Sequence, residues 1–293
     1  MMNNSPIQNK IKIYEEYFDQ KLKYNSEHAI GTYFVYKEID ENLKTILRLF
    51  VQNHLKFNTK ASIYIFTNHI CLREDYQNDR VIFINYPYLD SQTMTNRVIF
   101  NFCALNYFSN FKKLYLFDSD LIPVQNFEYI FSNAFDIGLT IDQNWQKNNR
   151  FPINAGFLIT NNSSKEKIED FRSCYLESYF KALKDQDLIL SKKLITHDNR
   201  DFEEWWGDQY LFFILFNFEF PRKVLNFQDS VKNNINFRFF NESFYNLQSA
   251  TLKNASIEFD LLGFLKERKN LFFLHLTGPR KKFVYKLLEI FDS

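Results

Sequence analysis

The sequence predicts an α/β protein, with a mostly parallel sheet covered by helices on both faces and a less regular C-terminal part. Three observations predict it. Short apolar runs alternate with helix-length amphipathic segments through the first half, the signature of βαβ units. One of those runs ends in Asp118-Ser119-Asp120, which places two carboxylates where such a sheet opens its ligand crevice. The chain has 293 residues, enough to bury a substantial core.

The elements follow in order. Residues 1–28 are polar and charged and read as an N-terminal extension without a secretion signal. Ala29–Tyr36 reads as the first strand, and a helix follows with Asp40 as its N-cap and Leu43, Leu47, Phe50 and Leu55 along one face. Ala61–Thr67 and Val81–Asn85 read as buried strands, Thr95–Phe108 as a helix and Lys113–Phe117 as the strand that delivers Asp118. In the second half, Asp136–Ile141 and Gly156–Thr160 are expected as strands, and Lys165–Lys184 and Glu203–Phe216 as helices. Leu271–His275 is expected as a strand and Phe283–Phe291 as a closing helix. Residues 221–260 show no clear periodicity and receive no assignment. The expected organisation is a single domain over 29–293, with one half at 29–125 and the other at 126–293.

Composition narrows the function. With 36 basic and 35 acidic residues the net charge is +1, which argues against nucleic acid as a partner. Three widely spaced cysteines without a CxxC pair suit a reducing compartment. The most apolar stretch, Tyr210–Phe220, is about half of the roughly 20 residues a membrane span needs. The expectation is a soluble, cytoplasmic protein, compatible with peripheral contact at a membrane. The 35 Phe and 17 Tyr are explained better by codon bias than by sugar stacking. Glycines are few, six in all, so each is expected to answer a backbone or ligand requirement.

Four short motifs carry chemistry. Asp118 and Asp120 are hard oxygen ligands that can hold Mn²⁺ or Mg²⁺ against a diphosphate, although an Asp-rich turn offers the same letters. Asn154-Ala155-Gly156 lets backbone and amide approach a ligand, or marks an ordinary turn. Gly207-Asp208-Gln209 opens an apolar helix; Asp208 caps that helix or, with Gln209, faces a substrate. Trp205 and Trp206 before it could form a sugar platform or pack in the core. Finally, His275, Gly278 and Lys281 recur at three-residue intervals: an imidazole for a divalent metal, an open backbone, and cations at Arg280, Lys281 and Lys282 for a diphosphate.

In this order the motifs resemble those of glycosyltransferase family 8, the group of glycogenin and bacterial lipooligosaccharide galactosyltransferases. The resemblance covers residues 118–281 and extends through the strand–helix pattern from Ala29. It implies a GT-A fold, a Rossmann-like nucleotide-sugar-binding half at 29–125 and an acceptor half at 126–293. It implies Mn²⁺ held by Asp118, Asp120 and His275, with Mg²⁺ as the alternative ion. It further implies a UDP-sugar donor whose diphosphate meets the metal, Lys281 and the open backbone at Gly278, and a transferred sugar that touches Asn154, Asp208 and Gln209. Arg97 matches a basic position that reaches the nucleotide sugar, Tyr36 a position that stacks on the base, and Gly156 the close-approach glycine. The partners implied are a nucleotide sugar and a glycan or glycolipid acceptor. Two features depart from the family pattern and bear on donor sugar and base: Lys282-Phe283 follows Lys281 where the family often has Pro-Trp, and the first strand is bulkier. The expectation is a retaining hexosyltransferase that works by front-face attack. Its rivals are a haloacid-dehalogenase-like phosphatase using Asp118 and Asp120, and a non-catalytic glycan-binding protein on the same fold.

Overall fold

The structure is a computed structural model that describes residues 6–18, 26–131, 134–145, 151–185, 207–217, 219–221 and 224–292. Its centre is an eight-stranded sheet. The strands are β1 (His28–Tyr33), β2 (Ala61–Thr67), β3 (Val81–Asn85), β4 (Lys113–Phe117), β6 (Phe135–Ile141), β7 (Ile153–Asn161), β8 (Phe227–Lys232) and β9 (Ile235–Asn241). Their order is β3-β2-β1-β4-β7-β6-β9-β8. The first four run parallel, β7 runs antiparallel to both β4 and β6, β6 and β9 are parallel, and β8 closes the edge as a hairpin with β9. The mixed α/β class and the mostly parallel sheet agree with the sequence prediction.

The parallel half is built from runs buried on both faces. Every residue of β2 is buried, as expected when helices cover a parallel sheet on both sides. On one face lie α1 (Pro6–Phe18), α3 (Thr93–Tyr107), α4 (Lys165–Lys184) and α5 (Gly207–Leu215). The other face holds α2 (Glu41–Phe57) and the closing helix α9 (Val284–Asp292). Asp40 caps α2 by accepting from Leu43 N at 2.8 Å, and Ser164 caps α4 through Lys167 N at 3.2 Å. Residues 6–18, within the expected N-terminal extension, form a helix: Ile7, Tyr14 and Phe18 are buried, and Tyr14 stacks on Tyr86 at 4.6 Å. Their spacing is helical, but the polar residues between them mask the apolar stripe.

The unassigned segment holds the β8–β9 hairpin and three short helices, α6 (Glu242–Tyr245), α7 (Ala250–Asn254) and α8 (Leu261–Glu267). Asn233 and Asn234 turn the hairpin with φ of 51° and 60°, a conformation Asn tolerates better than other side chains. A second, two-stranded sheet pairs β5 (Leu121–Pro123) with β10 (Phe273–His275), antiparallel, and matches His275 to Leu121. This small sheet brings the C-terminal motif back to the Asp118–Asp120 turn. The three cysteines are free, and among the described residues no helix is long and apolar enough to cross a membrane.

Candidate active site

Strand β4 ends at Phe117, and the chain turns at once, with Leu121 N bonding to Asp118 O at 3.0 Å. Both carboxylates therefore leave the carboxyl end of the sheet beside β7. Leu276 N bonds to Asp120 O at 2.9 Å, which extends the β5–β10 pairing and fixes His275 over the turn. His275 Nε2 lies 3.1 Å from Asp120 Oδ1 and 3.6 Å from Asp118 Oδ2. One ligand atom from each of Asp118, Asp120 and His275 lies within 4.8 Å of the others. The sequence separation of 155 residues between Asp120 and His275 is closed by one backbone pairing.

Electrostatics bind the cluster together. Burial opposes ionisation of Asp120, but the neighbouring His275 outweighs it and holds the carboxyl well below the usual carboxylate range. Burial likewise opposes the charged imidazole, and Asp120 with Asp118 overcomes it and raises His275. The far ring nitrogen, Nδ1, is 3.4 Å from Gln248 Nε2 and 3.5 Å from Asn154 Nδ2. Were Nε2 to face a cation, Nδ1 would carry the proton, and the Gln248 amide, turned to present its oxygen, would support it. Gln248 lies in the stretch that the sequence reading left unassigned, and no local pattern marks it.

Asn154-Ala155-Gly156 lies near the start of β7, which begins at Ile153, three residues before the expected start at Gly156. The register against β6 jumps from Leu139↔Leu158 to Thr140↔Asn154, so three residues of β7 bulge out of the ladder. Three of the backbone groups there are satisfied locally. Gly156 N donates to Asn154 Oδ1 at 2.9 Å, Ala155 O accepts from Arg97 Nη2 at 2.9 Å, and Gly156 O accepts from Asp118 N at 3.0 Å. A Cβ on Gly156 would stand 2.2 Å from Asp118 Oδ2, so the glycine is required by the carboxylate itself. Asn154 Oδ1 is engaged by the bulge, which leaves its Nδ2 facing the cavity.

Arg97 lies on the first turns of α3 and joins two carboxylates. Its Nη2 is 2.5 Å from Asp118 Oδ1 and its Nη1 is 3.3 Å from Asp208 Oδ2. Burial disfavours its charge, but Asp118 and Asp208 more than compensate. Asp208 is 1% exposed on the first turn of α5, and neither carboxylate oxygen has a hydrogen-bond partner among the described residues. The backbone amides of Asp208 and Gln209 at the start of α5 favour its charged form, more weakly than burial opposes it. Burial, with Asp118 adding to it and Arg97 opposing it, pushes its carboxyl up to about 7. A buried carboxyl whose burial outweighs its partners is a feature that functional sites commonly carry.

These residues line a cavity of about 540 Å³, within the range of small-ligand sites. Asp118, Asp120, Asn154, Asp208, Gln209 and His275 all face it. So do Tyr36, Arg97, Gly278 and Lys281. Tyr36 lies three residues beyond the end of β1 rather than closing it, and its hydroxyl sits beside Ser119. Gly278 is in the left-handed region at φ +58, which explains a glycine there. The three C-terminal cations separate. Arg280 is buried and donates to the carbonyls of Ser249, Thr277 and Gln248, so it builds the loop. Lys282 bonds to the carbonyls of Lys253 and Ala255, while Lys281 faces the cavity. Trp205 and Trp206, the proposed platform, lie outside the described residues, as do residues 203–206 of the expected helix.

No family model and no curated protein matches the chain. Among solved structures it is similar to the apo-form glycosyltransferase GlyE of Streptococcus pneumoniae TIGR4, with a TM-score of 0.43 and 17% identity. The likeness covers 87% of this chain and 55% of that one, so the chain spans about half the length of that structure.

Proposed function

We propose that the protein is a metal-dependent glycosyltransferase that moves a hexose from a UDP-sugar to a hydroxyl of a glycan or glycolipid, with retention of configuration. The observation that carries this reading is the convergence of Asp118, Asp120 and His275 at the carboxyl end of β4, on the wall of the 540 Å³ cavity. Two carboxylates with one imidazole make a donor set that fits a divalent transition ion, Mn²⁺ more readily than Mg²⁺. The close approach of Gly156 to Asp118 fits as well, since it keeps the carboxylate free of a Cβ. When bound, the ion supplies Lewis-acid neutralisation of the departing diphosphate.

The remaining roles belong to the chain's own residues. Lys281 and the open backbone at Gly278 suit the diphosphate. Tyr36 offers a ring to the base. Arg97 holds Asp118 and Asp208 in fixed relation, so the carboxylate that meets the metal and the one that meets the sugar keep their spacing. Asp208, beside the anomeric carbon, stabilises developing positive charge once ionised. Gln209 and the Nδ2 of Asn154 bond sugar hydroxyls. Front-face attack by the acceptor hydroxyl on an ion-pair-like state accounts for retention without an enzymic nucleophile. The phosphatase alternative requires Asp118 free to attack, whereas its Oδ1 is held by Arg97 at 2.5 Å.

A screen of nucleotide sugars for UDP release with Mn²⁺ present tests the reading. At least one UDP-hexose should be hydrolysed in a metal-dependent way. Failure of every nucleotide sugar, with turnover of a generic phosphate ester instead, would reverse it.

A further inference from the structure

The carboxylate cavity is not the largest concavity in the protein. A groove of about 940 Å³ lies at the far edge of the sheet, between the β8–β9 hairpin and the chain that follows β6 and α5. Strand alternation sets its chemistry. Phe227 and Asp229 share the opposite face with Arg238, which ties the two together. Arg238 Nε bonds Asp229 at 2.6 Å, and its guanidinium lies 4.3 Å from the Phe227 ring and 4.9 Å from Phe135. Gln228, Ser230 and Lys232 point the other way, into the groove. The side chains of Gln228 and Ser230 make no hydrogen bond within the described residues. Below them Phe216 and Phe239 pack at 5.2 Å as an aromatic floor. Across from them stand Trp145 and Phe220, 6.0 Å apart and edge to face, with Gln143 beside them.

Amides and a hydroxyl that both donate and accept, set over aromatic rings, match a polyhydroxylated ring compound. The hydroxyls find donors and acceptors in Gln143, Gln228 and Ser230, while Trp145, Phe216 and Phe239 are buried and form the wall behind them, with Phe220 the more open ring. The groove's two charges, Glu219 and Lys232, are of opposite sign, which favours a neutral ligand and offers nothing to a phosphate backbone. The groove also adjoins the reaction cavity. Trp145 packs on Phe213 at 5.8 Å, and Phe213 on Phe151 at 6.1 Å, where Phe151 already lines the carboxylate cavity. A run of three aromatic rings, Trp145, Phe213 and Phe151, links the two.

We infer that the groove binds consecutive sugars of a neutral oligosaccharide, the part of a glycan acceptor remote from the hydroxyl that reacts. The link to catalysis rests on the transferase reading; the binding itself does not.

The test uses the full chain and a panel of fluorescently labelled neutral hexasaccharides of glucose, galactose, mannose and N-acetylglucosamine, each beside its monosaccharide. At least one hexasaccharide should bind while its monosaccharide does not. The double substitution Gln143→Ala with Gln228→Ala should weaken that binding roughly tenfold or more, the equivalent of one or two lost hydrogen bonds. Ser230→Trp should fill the groove and abolish binding. Both variants should retain UDP affinity and donor hydrolysis within about twofold. No binding by any hexasaccharide would overturn the inference, as would binding indifferent to both variants, or a dimer in light scattering that Ser230→Trp disrupts. Hexasaccharide binding without any nucleotide-sugar hydrolysis would sink the transferase reading and leave the groove standing.

Discussion

Asp120 and Asp208 face the same cavity and belong to the same charge network, yet their carboxyls shift in opposite directions. Burial works against ionisation in both. Asp120 has His275 at 3.1 Å, and its carboxyl falls well below the usual range. Asp208 has only the edge of a guanidinium already engaged with Asp118, and its carboxyl rises to about 7. Residue type is constant across the pair and partner geometry is what differs. One carboxylate is poised as a permanent anion for a cation. The other gains full charge only at neutral pH or above, or when positive charge arrives beside it.

The largest expected effect comes from breaking the first site. Asp120→Asn should lower transfer by about 10³-fold or more, since a catalytic metal contributes several kcal/mol. The circular dichroism spectrum should not change, because a carboxylate at a strand end is not part of the core.

Next comes the second site. Asp208→Asn should lower kcat by roughly 10²–10³-fold, the usual cost of losing one preorganised electrostatic group. UDP affinity should stay within about twofold, because the interaction is made mainly in the transition state. Gln209→Ala should show the same division between kcat and UDP binding. Asp208→Asn also has a readout that needs no substrate. A folded-state value raised to about 7 means that the native protein keeps a proton the unfolded chain releases near 3.8. The stability this confers is complete below the unfolded value and disappears as pH rises through about 7. In metal-free protein, Asp208→Asn should therefore raise the melting temperature at pH 8 by at least about 2 °C and change it little at pH 4. A purely capping role predicts near-silence at both pH values and in kcat.

Lys281→Ala should weaken UDP binding by about 1.5–3 kcal/mol, the range for hydrogen bonds to charged groups. Lys282→Ala should leave it unchanged, since that ammonium is engaged by backbone carbonyls of 253 and 255. The smallest effect is expected at the glycine that shields the first site. Gly156→Ala should reduce metal affinity about 10-fold, as loss of support around a ligand does, by displacing Asp118.

Much of this arrangement was legible in the sequence wherever a local pattern coincided with a structural need. β2, β3, β4 and α4 fall at their expected bounds because apolar runs and caps mark them without ambiguity. Asp118, Asp120 and His275 were readable as a possible metal-binding group through the family resemblance that the order of the motifs carries. Nothing in spacing revealed how it closes, since the β5–β10 pairing joins two strands of only three residues each. Asn154 and Gly156 were readable as close-approach residues, but the bulge that makes them so is a property of register between β6 and β7. Arg97 was assigned to the nucleotide sugar, while its contacts are to Asp118, Asp208 and Ala155, a bridge that only the packing of α3 against β7 and α5 creates. The hairpin at Asn233-Asn234 carried a usable signal, a tight turn of two residues that tolerate positive φ, and β8 hid it with a mostly exposed, polar strand.

The central claim is that Asp118, Asp120 and His275 form one cation site that receives a nucleoside diphosphate. Titration calorimetry of UDP into the full chain, with and without Mn²⁺, tests it most directly. The account predicts binding in Mn²⁺ that is lost on chelation and lost in Asp120→Asn, with Asp208→Asn binding as the wild type does. UDP binding of equal affinity with and without the metal, or undiminished in Asp120→Asn, would contradict it.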